Sequence, residues 1–437
     1  YWQQCNKPKE VKDGIRKAHA ELVSKGFMVK LSELNHTQKR LIADSEFRHY
    51  YPWSSVLKDS VSTPVRLVVD PSRTGLNTIL AKGENNLAKI HKVLIRNRCR
   101  RHIFTCGISK RYNCLYLKDT ALPYSLFLFS EELEIHKQPT VWVLLRAWYG
   151  VRSTGNQSGE ALDSLANYFQ SSLPLAHDIM MEDRYVDDIL SGSNNSDTVT
   201  EQIKQTQELL GKGGFNLKFI AKSGLPPPSE ASQDGASLKI LGYKWLPQED
   251  TLMLAFEEVN FNKKKRGAKA PNPFPVVSPD DISKVLDSVQ LSRRIVVSKM
   301  SEIYDPVGIW EPFKLQLKLD VSQLNGMEWD QQLPEDLKKH WEQKLKSFAD
   351  IPKLSVSRCV IPEKAKDPNA IRLLCFSDAA EFAGGTAIYA TYELMDGTYS
   401  CQLLTAKSKL MDASIPRNEL SGVLLMAEVS FLVKKAL

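Results

Sequence analysis

Apolar positions along the chain follow two rhythms, and their alternation outlines the elements. From Glu10 to Lys25 the spacing is helical and closes at Gly26. Val65-Arg66-Leu67-Val68-Val69-Asp70 is a dense β-branched run, which predicts a strand ending in the Pro71-Ser72 turn. Leu87, Ile90, Val93 and Leu94 form a stripe that predicts a helix from Asn86 to Arg98, running into the basic cluster Arg96, Arg98, Arg100 and Arg101. A strand from His102 to Ile108 follows, then a helix from Gln157 to Leu173 and, after a loop, a hairpin around Tyr185. A helix from Val199 to Leu210 is broken by Gly213-Gly214 before the strand Phe215 to Ile220. Helix and strand alternate throughout, so the first half reads as an α+β unit.

Pro226-Pro227-Pro228 is a stiff turn, and Lys239 to Trp245 with Thr251 to Ala255 predicts a further hairpin. Composition then shifts: Lys263-Lys264-Lys265-Arg266 and the stretch Pro271 to Pro279 form a basic, proline-rich linker, and Ser283 to Ser347 is mainly helical. Past Pro368, Ile371 to Tyr392 alternates as a β-hairpin with Asp378 at the end of its first strand. Leu420 to Leu437 is apolar and helix-like, and the chain opens at Tyr1 without Met. Both ends are expected to be cut from a longer polypeptide, as in a polyprotein segment. No internal repeat is visible.

At 437 residues, 42% hydrophobic and 25% charged, the chain has the composition of a globular protein of two or three domains. Its net charge of +7 permits contact with a polyanion without requiring it. Cys5, Cys99, Cys106, Cys114, Cys359, Cys375 and Cys401 are odd in number and show no Cys-x-x-Cys spacing. Neither a zinc site nor a disulfide framework is indicated, and a reducing compartment fits best. No run of about 18 apolar residues predicts a membrane span, and no leader pattern opens the chain.

The densest chemical signal is Arg184-Tyr185-Val186-Asp187-Asp188-Ile189-Leu190. Two adjacent carboxylates between short β-forming runs aim both acids out of a hairpin turn, and carboxylates are the oxygen ligands that Mg²⁺ prefers. Polymerases use such acids to hold two ions roughly 4 Å apart. A plain solvated Asp-Asp turn would look the same, so the surrounding sequence decides.

That surrounding sequence resembles the reverse transcriptases of long-terminal-repeat retrotransposons, in particular the Pao/BEL group. The likeness is carried by Val65 to Asp70 with Leu76-Asn77, by Ile108-Ser109-Lys110-Arg111-Tyr112-Asn113, and by Tyr149-Gly150-Val151-Arg152-Ser153. It continues through Tyr185-Val186-Asp187-Asp188, Gly214-Phe215-Asn216-Leu217-Lys218 and Leu241-Gly242-Tyr243-Lys244-Trp245. Six blocks in one order across Arg66 to Trp245 are hard to reach by chance. The resemblance implies that Asp187 and Asp188 are catalytic metal ligands and that Arg66 contacts the triphosphate of an incoming nucleotide. It further implies that Tyr112 is the aromatic gate under the sugar, that Lys218 lies near the pyrophosphate, and that Leu241, Gly242, Tyr243 and Trp245 belong to a hairpin gripping the primer. Ser153-Thr154-Gly155 departs from the Ser-Ser-Pro run of many relatives.

The family's first metal-binding aspartate falls five residues before Tyr112, where this chain has Gly107. Glycine brings no ligand atom. Losing a carboxylate shared by two ions removes transition-state stabilisation, so an impaired or dead polymerase is expected. Asp119, the nearest downstream acid, lies out of register to replace it.

Leu291 to Trp310 resembles the Pao-group region between polymerase and nuclease, sometimes filed as a peptidase. No Asp-Thr-Gly or Asp-Ser-Gly occurs in the chain, so an aspartic peptidase is the weakest reading. Phe376-Ser377-Asp378-Ala379 and Ile415-Pro416-Arg417-Asn418-Glu419-Leu420 resemble the first strand and the glutamate helix of a retroelement ribonuclease H. Asp378 and Glu419 would then ligate Mg²⁺, with a further aspartate still required and the domain incomplete at Leu437.

The resemblance therefore implies a right-hand α+β polymerase followed by a truncated ribonuclease H-like α/β domain. Residues 1–258 would be fingers and palm, 259–367 the basic linker with thumb and connection, and 368–437 the start of the nuclease. The expected activity is RNA-directed DNA synthesis with two Mg²⁺ ions, impaired at Gly107, and the alternative is a silent nucleic-acid-binding relic. Implied partners are an RNA template with a DNA primer, deoxynucleoside triphosphates and the rest of the polyprotein, with no membrane. The implied location is the cytoplasm or an intracellular virus-like particle.

Overall fold

The computed structural model describes residues 1–57, 65–84, 87–232, 234–256, 278–287 and 289–437. The predicted linker Lys263 to Arg266, and the Pro271 stretch up to residue 277, lie outside them.

The central sheet has four antiparallel strands in the order Arg184–Tyr185, Asp188–Ser193, His102–Ser109, Asn216–Lys222. Strand His102–Ser109 is buried on both faces, which explains its near-continuous apolar run. Phe104, Cys106 and Ile108 face a core built with helices Thr154–Tyr168, Pro174–Glu182 and Ser196–Lys212. On the opposite face, Ile103 joins Leu190, Ala221 and Val93, Leu94 and Ile95 of helix Ile90–Arg98. Helix Ser196–Lys212 starts where the Asn195 side chain accepts hydrogen bonds from the Asp197 and Thr198 amides. Gly214, at φ 72°, turns the chain out of it toward the next strand.

In front of this sheet sits a second lobe. It combines helix Lys9–Ser24, the ribbon Trp53–Leu57 with Val65–Val69, and a three-stranded sheet ordered Met28–Lys30, Thr140–Leu144, Leu126–Phe129. His19, 3% exposed, stacks on Phe129 at 3.7 Å between ring centroids and meets Trp142 edge-on. Burial holds its imidazole down at about 4, so it is a neutral core ring at neutral pH.

Behind the central sheet, strands Leu238–Ile240, Tyr243–Leu246, Thr251–Leu254 and Ser355–Ser357 form another antiparallel sheet. The last strand arrives from about 100 residues downstream, so no packing boundary separates it from the first half. Four helices, Pro279–Leu286, Arg293–Glu302, Glu311–Ser322 and Glu335–Ser347, agree with the helical reading of Ser283 to Ser347. The C-terminal sheet, Arg372–Ala379, Ala383–Glu393 and Tyr399–Leu410, is covered by helix Ile415–Ala436. That helix also packs on helix Ile90–Arg98, and one apolar core runs from Val93 to Ala436.

Arg358, 1% exposed, joins these parts. It pairs with both carboxylate oxygens of Asp250 at 2.7 and 2.5 Å and donates to the carbonyls of Asn97, Arg100 and Arg101. The basic cluster after the stripe is likewise structural: Arg96 and Arg100 pair with Asp183, Arg98 donates to the Leu404 carbonyl, and Arg101 to that of Pro362. Such dense pairing offsets the cost of burying a guanidinium.

Three element boundaries differ from the periodicity reading. The stripe helix begins at Ile90, because Leu87, Ala88 and Lys89 are not helical. The helix predicted from Gln157 to Leu173 is two, Thr154–Tyr168 and Pro174–Glu182, with Pro174 starting the second. Lys239 to Trp245 is itself a hairpin, because Leu241 (φ 44°) and Gly242 (φ 101°) reverse the chain. All seven cysteines are free. No helix among the described residues is long and apolar enough to cross a membrane.

Candidate active site

Tyr185 pairs with Asp188, so Val186 and Asp187 are the two residues of a tight turn. Val186 sits at φ 56°, a left-handed conformation that costs a β-branched residue about 1–3 kcal/mol. The turn is held because its inner strand is locked to the central one: Gly107 is the register partner of Asp188, and the Ile108 amide donates to the Asp187 carbonyl at 2.8 Å.

Gly107 thus lies directly beside the acid pair. A Cβ built on it would be 3.6 Å from Asp188 Oδ1 and 3.4 Å from Lys218 Cδ and Nζ. Lys218, on the neighbouring strand, donates to Asp187 Oδ2 at 3.1 Å. A side chain at position 107 would therefore enter the space between two acids and one ammonium. Burial, and then the Asp187 charge, push the Asp188 carboxyl up to about 6, while Lys218 opposes them.

Tyr112 lies in a 3₁₀ turn, Arg111–Cys114, just after the central strand, with its ring 4.8 Å from that of Tyr149. Burial raises the Tyr149 hydroxyl, with further effects from Asp187, Tyr112 and Arg66, so the four groups share one neighbourhood. Arg66 is exposed on strand Val65–Val69. Gly150 at φ 98° permits this approach, since a Cβ there would lie 2.6 Å from the Val69 carbonyl oxygen. Asn77 secures the loop by donating to the Gly150 carbonyl and accepting from the Arg152 amide, both at 2.9 Å. The structure thus gathers Gly107, Tyr112, Asp187, Asp188, Lys218 and, through Tyr149, Arg66.

Two neighbours were not singled out from sequence. Tyr149 sat within a recognised block without a role. Arg111 is 2% exposed and, among the described residues, has no hydrogen-bond partner for its guanidinium nitrogens. Burial and the nearby Arg184 hold its pKa down at about 10. Arg184 takes Asp163 at 2.5 Å. Nothing in the polar run Ser109-Lys110-Arg111-Tyr112-Asn113 signalled this burial.

The expected primer hairpin needs correction in part. Tyr243 and Trp245 are fully buried, Tyr243 donating to Asp305 at 2.5 Å and Trp245 to Asp250 at 2.9 Å. They anchor the hairpin from inside, while the Leu241-Gly242 turn is partly exposed. Gly242 lies against the Tyr304 ring. Asp119 accepts a hydrogen bond from Gln38 at 2.9 Å, in a turn packed on helix His36–Asp44.

Asp378 is exposed at the end of strand Arg372–Ala379, and Glu419 is half-buried on helix Ile415–Ala436. One turn after Glu419, a Cβ on Gly422 would lie 3.7 Å from both the Asp378 carbonyl oxygen and Ala379 Cβ, so the helix crosses the strand end there. Among the described residues, no group of three or more His, Cys, Asp or Glu could hold a metal ion. A magnesium ion wants six oxygen ligands, and here two carboxylates stand beside an ammonium that already neutralises one. This donor set does not fit a two-ion centre.

Comparison with known proteins agrees with the fold. Residues 292–437 match the Pao retrotransposon-like RNaseH-like domain model as one unit. No curated protein sequence matches. Among solved structures, the chain is similar to the foamy viral protease-reverse transcriptase in complex with double-stranded DNA, at TM-score 0.59 and 11% identity. The match covers 98% of this chain and 62% of that one, so the chain spans less than two thirds of that protein. Residues 292–437 are thus similar to a Pao retrotransposon-like RNaseH-like domain, and the chain as a whole has the fold of a reverse transcriptase.

Proposed function

We propose that the chain is the RNA-directed DNA polymerase segment of a Pao-type retrotransposon polyprotein, impaired in synthesis by Gly107. The observation that carries this reading is the register of Gly107 on Asp188, with Lys218 reaching the same space. A carboxylate at position 107 would stand beside the two existing acids, and glycine leaves the set one ligand short. Arg66, Tyr149, Tyr112 and Lys218 would bind and orient the triphosphate and sugar of a deoxynucleotide, Lys218 and Arg66 through charge. The Leu241-Gly242 turn would steady the primer end. Residues 1–258 would act as fingers and palm and the helices after them as thumb and connection, within a virus-like particle in the cytoplasm. Asp378 and Glu419 would be two acids of the nuclease set.

Primer extension on an RNA template tests this. The unmodified chain should extend little or nothing, and Gly107→Asp should extend in Mg²⁺. A well-folded Gly107→Asp that binds hybrid without extending it removes the mechanism.

A second reading is favoured by the Lys218 to Asp187 ion pair, which neutralises one acid of the turn without any metal. The chain would then hold an RNA–DNA hybrid without turnover. Its affinity should fall steeply with salt as phosphate counterions are released, and salt-insensitive binding would exclude it.

A further inference from the structure

A cavity of about 360 Å³ lies away from the acid turn, enclosed by helix Ile90–Arg98, the 305–311 segment, helix Glu311–Ser322, strand Tyr399–Leu410 and helix Ile415–Ala436. Its apolar lining includes Pro306, Val429 and Leu432, and its polar lining carries Lys314, Lys318 and Lys407. The two carboxylates in the wall are already engaged. Asp305 accepts the amides of Gly308, Ile309 and Trp310 and the Tyr243 hydroxyl, so it holds the turn that precedes the helix. Glu311, 6% exposed, takes the Lys318 ammonium and the Ser408 hydroxyl and amide.

What remains is positive charge. Lys314 stands 3.9 Å from Glu311, a loose pair, and Lys407 has no acidic partner among the described residues. His91, its Nε2 3.2 Å from the Thr405 hydroxyl, is held below its usual range by burial and by Lys407. It is therefore a neutral polar ring in the wall. The amides of the turn are spent on Asp305, so an anion entering here would be met by ammonium groups.

We propose that this cavity binds a nucleotide, with its phosphates on Lys314 and Lys407 and its nucleoside over Val429, Leu432 and Pro306. The size decides between phosphate sources. A lone inorganic anion would leave most of the volume unfilled, a duplex is too wide to enter, and pockets for small ligands begin at about 300 Å³. An apolar floor with a cationic rim suits a molecule that is flat at one end and anionic at the other. The site lies outside the polymerase centre, so it stands or falls independently of that reading.

The test is calorimetric titration of the 437-residue chain with ADP in EDTA, where no divalent ion supports nucleotide binding at the acid turn. Saturable one-to-one binding is expected, weakened at least tenfold by Lys314→Glu/Lys407→Glu, with adenosine binding at least tenfold more weakly than ADP. Absent binding, unchanged affinity in the double variant, or pyrophosphate binding as tightly as ADP would overturn the proposal. Photolabelling of the unmodified protein with 8-azido-ADP gives an answer independent of folding in the variant. Label on the peptides carrying Thr405 to Ser408 or Val429 to Leu432 supports the site, and label confined elsewhere refutes it.

Discussion

Replacing Gly107 by aspartate perturbs the acid turn at its most informative point. The space is sufficient: the nearest atoms to a new Cβ are at 3.4 Å or more, ordinary van der Waals contact, and two of the three belong to the flexible Lys218 side chain. The electrostatic consequence is large. Two unit charges 4 Å apart interact by about 4 kcal/mol at an effective dielectric of 20, so a third carboxylate repels Asp188 and attracts Lys218 by comparable amounts. The opposing effects leave a net metal-free destabilisation of about 1–3 kcal/mol. A divalent ion reverses the balance, because three carboxylates then converge on one cation. We expect Mn²⁺ affinity, read by EPR titration, to rise ten- to a hundredfold, equivalent to about 1.4–2.7 kcal/mol. At 437 residues a stabilisation of that size moves Tm by only about 1–3 °C, so titration is the better assay. A folded Gly107→Asp protein whose Mn²⁺ affinity equals that of the unmodified chain would refute the reasoning.

Other expectations follow from single ionisable groups. Asp188 has its carboxyl raised from 3.8 to about 6, so its contribution to stability is fully present below pH 4 and is lost as pH rises through 6. Asp188→Asn should match the unmodified protein in denaturant melts at pH 4 and exceed it by about 1 kcal/mol at pH 7.5, solvent screening reducing the nominal effect. His19, lowered from 6.5 to about 4, contributes stability that is present above pH 6.5 and lost as pH falls through 4. Acid titration should cost the N-terminal lobe about 3 kcal/mol over that window, and His19→Phe should abolish the effect, as followed by Trp fluorescence. Arg111→Met should raise stability by about 2–3 kcal/mol, because it removes a buried guanidinium without hydrogen-bond partners; a loss in chemical denaturation would show that Arg111 has a compensating partner.

Much of the central sheet and of the second lobe was readable from sequence because their elements carry strong local signals. Val65 to Val69 and His102 to Ser109 are apolar runs, and the Asn195 cap with Gly213-Gly214 brackets a helix. Register was not readable. That Gly107 meets Asp188, rather than a residue two positions away, depends on how strands 80 residues apart pair, and no local pattern encodes it. Burial was equally hidden for Tyr243 and Trp245, whose alternation with polar neighbours fits a ligand-facing hairpin as well as an anchored one. The pairing of Thr251–Leu254 with Ser355–Ser357 crosses the boundary that composition predicts near residue 258, because a proline-rich, basic stretch marks a change of chain character and not a limit of packing. Arg111 escaped notice because a buried charge without a hydrogen-bond partner among the described residues contradicts the rule by which sequences are read.

The account rests on an acid turn that lacks one carboxylate from the adjoining strand, and single-turnover primer extension addresses this most directly. The unmodified chain, Gly107→Asp and Gly107→Asp/Asp187→Asn would be compared on one RNA template in Mg²⁺. Regaining about 4 kcal/mol of transition-state stabilisation corresponds to roughly a thousandfold, so Gly107→Asp should extend at least that much faster than the unmodified chain and the double variant should fall back. Equal rates for the unmodified chain and Gly107→Asp, or a gain that survives Asp187→Asn, would contradict it.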